Sequence, residues 1–427
     1  MQWLKVAALV ALAATAGVLR RIVPQPEDLV DSLVPEDGGG GGVKRKRRLL
    51  RIAVLFGVFL AILGIGGFLV SALGIIPIKA SAGHWPITEW FLKFSMHRSI
   101  STHSLGTKIP PLDDPALVMR GAGAYETGCR PCHGSPDLPN PRVARNLLPP
   151  PPYLPPVISE WDPEELFYIT KHGVKFTGMP AWPAQKRDDE VWALVAFLLA
   201  FPELDAREYR RLVSGGAPQT GGDAEIHGLL GSDKVPRAVT QTCGRCHGRD
   251  GRGRGVAAFP RLAGQRPNYL AAALDAFASG KRPSGIMGPI AETLSPEERH
   301  ELALYYGNLT GAAAPLVPAA DQAAIERGRI IASQGIPGQK VPSCADCHGP
   351  GGTRRNPHYP VLAGQYAGYL IQQLQLFQQQ HRGGSSYAHL MRPVAARLTP
   401  DQMHDVAQYY ASLATHSSAG LVNSPQE

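Results

Sequence analysis

The 427-residue chain is long enough for two to four compact domains, and 44% hydrophobic against 18% charged residues excludes a disordered polymer. Its 43 Lys and Arg against 35 Asp and Glu give a formal charge of +8, of which five fall in residues 1–80 and three in 81–427. So small an excess over the larger part excludes a basic nucleic-acid-binding face.

In chain order, residues 1–21 form an apolar segment. Val6–Leu19 has the character of a signal-peptide core, and Ala14-Thr15-Ala16 that of a cleavage site. Cleavage would leave the following span in the wrong orientation. An uncleaved segment is therefore expected, either a short first transmembrane helix or the product of a start assigned too early. Residues 22–51 read as a cytoplasmic loop that passes through Gly38–Gly42 and ends in Lys44, Arg45, Lys46, Arg47, Arg48 and Arg51. No charge occurs from Ile52 to Ile78, which predicts a transmembrane helix over 52–76 stopped by Pro77. The basic cluster stays in the cytoplasm, so everything after the span is expected on the outer, periplasmic side of a bacterial cytoplasmic membrane. In the juxtamembrane segment 77–112, Ile87, Trp90, Phe91 and Phe94 stand at i, i+3, i+4 and i+7. They predict an amphipathic helix lying on the membrane surface, with packing against a domain or partner as the alternative.

All six cysteines lie in three copies of one pattern: Cys129-Arg130-Pro131-Cys132-His133, Cys243-Gly244-Arg245-Cys246-His247 and Cys344-Ala345-Asp346-Cys347-His348. Cys-x-x-Cys-His is the attachment signature of c-type haem: each thiol adds across a vinyl group, and the His binds iron from the same side. Structural zinc needs four ligands from closely spaced pairs, but these pairs start 114 and 101 residues apart with no Cys to spare. Thioredoxin-like redox motifs do not require the His. Three covalently bound haem c groups are therefore expected, and covalent attachment agrees with an exported location.

Three units carry these motifs, at 113–212, 223–312 and 320–415, followed by a tail at 416–427. Linkers rich in Gly, Ala and Pro lie near 213–222 and 310–320. The second and third units repeat one another. Pro260, Leu262-Ala263-Gly264-Gln265, Tyr269-Leu270, Leu274, Phe277 and Arg282 recur as Pro360, Leu362-Ala363-Gly364-Gln365, Tyr369-Leu370, Leu374, Phe377 and Arg382. Tyr305-Tyr306 recurs as Tyr409-Tyr410, and Ser295-Pro296 and Thr399-Pro400 read as N-cap and first position of a closing helix. The first unit is more distant and ends in an apolar helix predicted over Asp188–Phe201. Its Pro149–Pro152 run, with Pro155 and Pro156, reads as a rigid connector or a shield for the haem edge. No strand pattern stands out, so the domains are expected to be mainly α.

Each unit places one Met before its closing helix: Met179, Met287 and Met391 follow His133, His247 and His348 by 46, 40 and 43 residues. A thioether is a soft ligand suited to iron, and equivalent placement in three units predicts His/Met axial pairs. His172 rivals Met179, and His381 and His389 rival Met391, whereas no His lies between His247 and Met287. Met96, Met119 and Met403 read as packing residues.

The second and third units, about 225–415, resemble cytochrome c4, a dihaem cytochrome of the bacterial periplasm. The shared features are the attachment motif, the Leu-Ala-Gly-Gln and Tyr-Leu stretches, the Met and the closing helix with its Tyr pair. The first unit resembles a class I monohaem cytochrome c through Gly128-Cys129, His133 and Gly178-Met179-Pro180-Ala181-Trp182. The resemblance implies two class I cytochrome c domains packed together with their haems close, and a third such domain in the first unit. The N-terminal anchor and the added unit depart from soluble cytochrome c4. Together with the apolar run and the three Met residues, this gives the expected architecture: three class I cytochrome c domains in tandem behind an N-terminal transmembrane anchor, with filled axial positions and electron transfer in place of catalysis. The expected partners are redox proteins: a quinol-oxidising or dehydrogenase complex as donor, and a terminal oxidase or reductase as acceptor. A trihaem subunit of a membrane-bound dehydrogenase and a haem enzyme such as a peroxidase are the alternatives.

Overall fold

The computed structural model describes residues 40–76, 79, 81–214, 235–255, 257–309, 321–349 and 355–414. The expectations for segment 1–21, for the loop up to 39, for most of both linkers and for tail 416–427 lie outside the described residues. The chain divides into two units, Met1–Ala82 and Gly83–Glu427.

In the first, helix α1 spans Gly40–Ala72. It corrects the expected boundaries at both ends. The basic cluster assigned to a loop is helical, because Lys, Arg and Leu are good helix formers that let the apolar helix propagate backwards. The other end falls at Ala72, short of Ile76, because Gly74 turns the chain with φ +62°. The amides of Leu73, Gly74 and Ile75 bond back to the carbonyls of Leu69, Ser71 and Val70, which closes the helix before Pro77 is reached. The stretch Arg48–Ala72, which holds an 18-residue window of mean hydropathy 2.6, is long and apolar enough to cross a membrane, and none of it is buried.

The second unit opens with α2, Pro86–Ser104, where Pro86 occupies the first turn. The C-terminal half of α2 docks onto α4, Pro163–His172. Ile100 is buried, His97 stacks on Trp161 at 4.5 Å, and Ser101 Oγ donates to Glu165 at 2.5 Å. The predicted stripe lies on the other half, and Ile87, Trp90, Phe91 and Phe94 remain 51–67% exposed.

The first haem unit is built on two crossing helices, α3 at Pro115–Ala124 and α5 at Asp188–Ala200. They cross at Gly121, where an added Cβ would collide with the Ala193 carbonyl. Tyr125, Val191, Leu194, Val195, Phe197, Phe201 and Tyr209 fill the core, the last from α6, Ala206–Ser214. The second unit pairs α7, Pro267–Ala278, with α8, Pro296–Asn308. The third packs α9, Gln322–Gln334, and α10, Ala367–Gln378, against α11, Pro400–Ser412. There α9 meets α11 at Gly328 as α3 meets α5 at Gly121. Ser295 and Thr399 are the N-caps that the Ser-Pro and Thr-Pro pairs predicted, and with Glu298 and Gln402 they form capping boxes. Among the described residues there is no strand, only the isolated bridges Ser135–Leu138 and Ile336–Val341. The protein is mainly α, as expected.

The repeated glutamines join the second unit to the third. Gln265 accepts from the amide of Val361 at 3.0 Å and donates to its carbonyl at 2.6 Å. Gln365 does the same to Arg261 at 3.0 Å in both directions. A primary amide carries a donor and an acceptor side by side, so each glutamine completes a short backbone-like pair.

Candidate haem centres

Each attachment motif ends in a single helical turn: Arg130–His133, Gly244–His247 and Ala345–His348. The first two follow a π-helical turn, Tyr125–Cys129 and Val239–Cys243. In every unit the imidazole Nδ1 faces a proline carbonyl: His133 to Pro152 at 2.8 Å, His247 to Pro260 at 3.2 Å and His348 to Pro360 at 3.0 Å. A carbonyl can only accept, so Nδ1 carries the proton and Nε2 keeps its lone pair for a metal. Burial lowers the pKa of all three histidines, which keeps the rings neutral, as iron ligation requires. The Pro149–Pro152 run thus has a definite task, because Pro152 does for His133 what the repeated Pro260 and Pro360 do for the other two.

A second constraint fixes the residue after each His. Tyr125 donates to the Gly134 carbonyl at 2.8 Å, Tyr306 to Gly248 at 3.1 Å and Tyr410 to Gly349 at 2.7 Å. These glycines have φ of +73°, +77° and +82°, a backbone turn that residues with a Cβ rarely adopt. Tyr306 and Tyr410 come from the repeated Tyr pair of the closing helix. The first unit reaches the same carbonyl from the opposite end of its fold, with Tyr125 four residues before Cys129. Sequence reasoning missed this triad, because a lone Tyr before an attachment motif carries no distinguishing signal.

The second and third units share one cavity of about 360 Å³. It is lined by Cys243, Cys246, His247 and Met287 and by Cys344, Cys347, His348 and Met391, between walls that include Leu270, Phe277, Leu370 and Phe377. The structure therefore brings both predicted ligand sets together; His381 and His389 do not line this space. Met287 begins the short helix Met287–Glu292, and Met391 lies within Ala388–Ala395. Cys129, Cys132, His133 and Met179 belong to the first unit and lie outside the cavity. Met179 sits on a loop whose Thr177 hydroxyl accepts from its amide at 3.1 Å. His172, its rival, is exposed at the end of α4 and tilts against Tyr168.

Arg282, which is buried, and Arg382, which is half-buried, also line the cavity. Arg282 donates to Tyr369 and Gln373 at 3.3 and 3.0 Å and lies 4.4 Å over the Phe277 ring. Arg382 donates to Tyr269 at 3.0 Å and lies 4.5 Å over Phe377. These partners are phenols, an amide and rings. A buried cation held without a carboxylate calls for an anion. Haem propionates meet that need, and the apolar walls suit the porphyrin face. Burial pushes the Cys129 thiol up to about 12 and those of Cys243 and Cys344 to about 11, so none is a free thiolate of the kind that dithiol exchange needs. The residues present fit haem c.

Comparison with known proteins agrees. The family described as cytochrome c oxidase, cbb3-type, subunit III matches residues 116–198 and 233–305, and the cytochrome c family matches 336–414. The thiosulfate dehydrogenase electron acceptor of Thiomonas intermedia is 37% identical over 171 residues, 40% of this chain and 78% of that one. The chain belongs to the c-type cytochromes. Cytochrome c4 of Thiocapsa roseopersicina is 33% identical over 205 residues, 46% of this chain and 96% of the relative. The crystal structure of reduced cytochrome c4 from Pseudomonas stutzeri is 29% identical, covers 42% of this cytochrome and 97% of itself, and aligns with a TM-score of 0.38. Membership of this family implies covalently bound haem c and a role in electron transfer.

Proposed function

We propose that this cytochrome is a membrane-anchored trihaem electron carrier on the periplasmic face of a bacterial cytoplasmic membrane. It would link a dehydrogenase or quinol-oxidising complex to a terminal oxidase or reductase. The observation that carries this reading is the shared apolar cavity, where His247 with Met287 and His348 with Met391 stand beside four cysteines. Cys129, Cys132, Cys243, Cys246, Cys344 and Cys347 would hold the three haems, and His133 with Met179, His247 with Met287 and His348 with Met391 would ligate their irons. Bound haem supplies one-electron exchange between ferric and ferrous iron. The chain's own contribution would be to supply both ligands of each iron and to keep the surroundings rigid. Pro152, Pro260 and Pro360 hold the imidazoles, Tyr125, Tyr306 and Tyr410 hold the following turns, and Arg282 and Arg382 offset propionate charge. Helix α1 supports the anchor, with the basic end of its cluster in the cytoplasm.

The relatives described as electron acceptors of thiosulfate dehydrogenase favour a dehydrogenase as donor. They equally support a second reading, in which the chain is the trihaem subunit of a membrane-bound dehydrogenase complex. The two differ in whether a dehydrogenase co-purifies stoichiometrically from native membranes.

The haem assignment is tested on the mature protein. A pyridine haemochrome assay should count three haems that stay with the denatured polypeptide, and the untreated reduced protein should bind no carbon monoxide. Two haems would overturn the assignment. Carbon monoxide binding at one haem would favour an enzyme with an open iron, such as a peroxidase.

A further inference from the structure

Glu190 belongs to the first haem unit, yet two of its carboxylate's four partners belong to the second. Oε1 accepts from the Ser284 hydroxyl at 2.6 Å. Oε2 accepts from the Gly285 amide at 2.6 Å and from the Trp182 indole at 3.2 Å. Arg187 Nη1 lies 3.0 Å from Oε1 and also donates to the Pro283 carbonyl at 2.8 Å. Glu190, Arg187 and Ser284 are only 3–8% exposed, so these bonds face no competition from water. The fit is close: a Cβ at Gly285 would collide with the Trp182 ring.

Ser284 carries the constraint onward. Its single proton is committed to Glu190, which leaves its lone pairs to accept from the amides of Met287 at 3.0 Å and Ile286 at 3.3 Å. The bond to Met287 satisfies the first backbone amide of the short helix that this residue begins. A chain of two hydrogen bonds therefore runs from a carboxylate in one unit to the backbone of the predicted iron ligand in the next.

We propose that Glu190 is a positioning residue that fixes the Met287 loop across the unit boundary, so that the first unit sets the strength of the Met287 thioether bond in the second. The inference rests on Met287 being an axial ligand. Both oxygens of Glu190 act only as acceptors. Replacing one with an amide N–H₂ sets donor against donor, at Ser284 and Arg187 or at Gly285 and Trp182. A loosened loop lets the thioether leave iron more often.

The test uses the full-length haem-loaded protein in detergent, comparing parent, Glu190→Gln, Ser284→Ala and Met287→Ala. Met287→Ala should abolish one haem's share of the sulfur-to-iron charge-transfer band and shift that haem's potential, which marks it as the haem of the second unit. Glu190→Gln and Ser284→Ala should shift the potential of that same haem alone. They should also speed imidazole capture at its ferric iron about tenfold, the effect of losing one charge-assisted hydrogen bond. If both variants leave that potential and capture rate at the parent values while Met287→Ala loses the band, the clamp is overturned and the ligand assignment stands. If Met287→Ala leaves the band intact, both fall. Should Glu190→Gln fail to load haem, Ser284→Ala, which removes only a hydroxyl, decides the matter alone.

Discussion

Arg282 donates to the side-chain oxygen of Gln373 at 3.0 Å, and this bond between buried groups ties the second haem unit to the third. Arg382 returns the gesture by donating to Tyr269 at 3.0 Å, so the sequence repeat appears in space as a pair of crossed cations. Burial, with Arg282 nearby, pushes the pKa of Arg382 below its ordinary value. Two like charges in one apolar cavity are tolerable only beside anions.

This arrangement predicts the sign of a redox effect. A nearby cation disfavours ferric haem, which is one charge more positive than ferrous, and so raises the potential. Arg382→Met keeps most of the volume and removes the charge. Potentiometric titration should show a potential in the second or third unit falling by on the order of 60 mV, one tenfold change in a one-electron equilibrium. An unchanged or higher set of potentials would contradict the propionate assignment.

The tyrosine contacts predict both a stability loss and its pH dependence. Tyr125→Phe leaves the Gly134 carbonyl without its buried donor and should cost about 1–3 kcal/mol, read by denaturant unfolding of the haem-loaded protein. Burial pushes the phenols of Tyr125, Tyr306 and Tyr410 well above their ordinary value. A group whose folded pKa is raised contributes stability that is complete below its unfolded value, about 10 for Tyr, and is lost as pH climbs toward the folded value. The parent should therefore lose stability above about pH 10, and each Phe variant should show a shallower loss. Identical alkaline profiles would exclude these three tyrosines as its source.

The exposed stripe on α2 predicts contact with lipid. Ile87, Trp90, Phe91 and Phe94 are each more than half exposed and Trp90 stacks on Phe94 at 5.7 Å, while Glu89 and Lys93 pair at 2.8 Å on the same helix. Aromatic rings favour the interfacial layer, where apolar depth and hydration are both within reach. With the other tryptophans replaced, Trp90 fluorescence in a reconstituted protein should be quenched by brominated lipid. Absence of quenching in folded protein would assign the stripe to a partner subunit instead.

Much of this cytochrome was legible without coordinates, for a physical reason. The attachment motif is dictated by covalent chemistry within five consecutive residues, and the caps at Ser295 and Thr399 by hydrogen bonds within one turn. Such features are complete in local sequence. The 3.6-residue stripe on α2 and the long uncharged run of α1 are equally local, although Gly74 ended that helix before the more conspicuous Pro77. The repeat also exposed Pro260, Pro360, Gln265, Gln365, Arg282 and Arg382 as special positions, but not what they touch. Tertiary structure decided that. Pro152 reaches His133, Tyr125 takes the place of a closing-helix Tyr, and Glu190 reaches Ser284 across 94 positions, only because buried polar groups must find partners wherever packing places them. Those partners depend on how whole helices cross, at Gly121 and Gly328 among other places, and no spacing along the chain encodes that crossing.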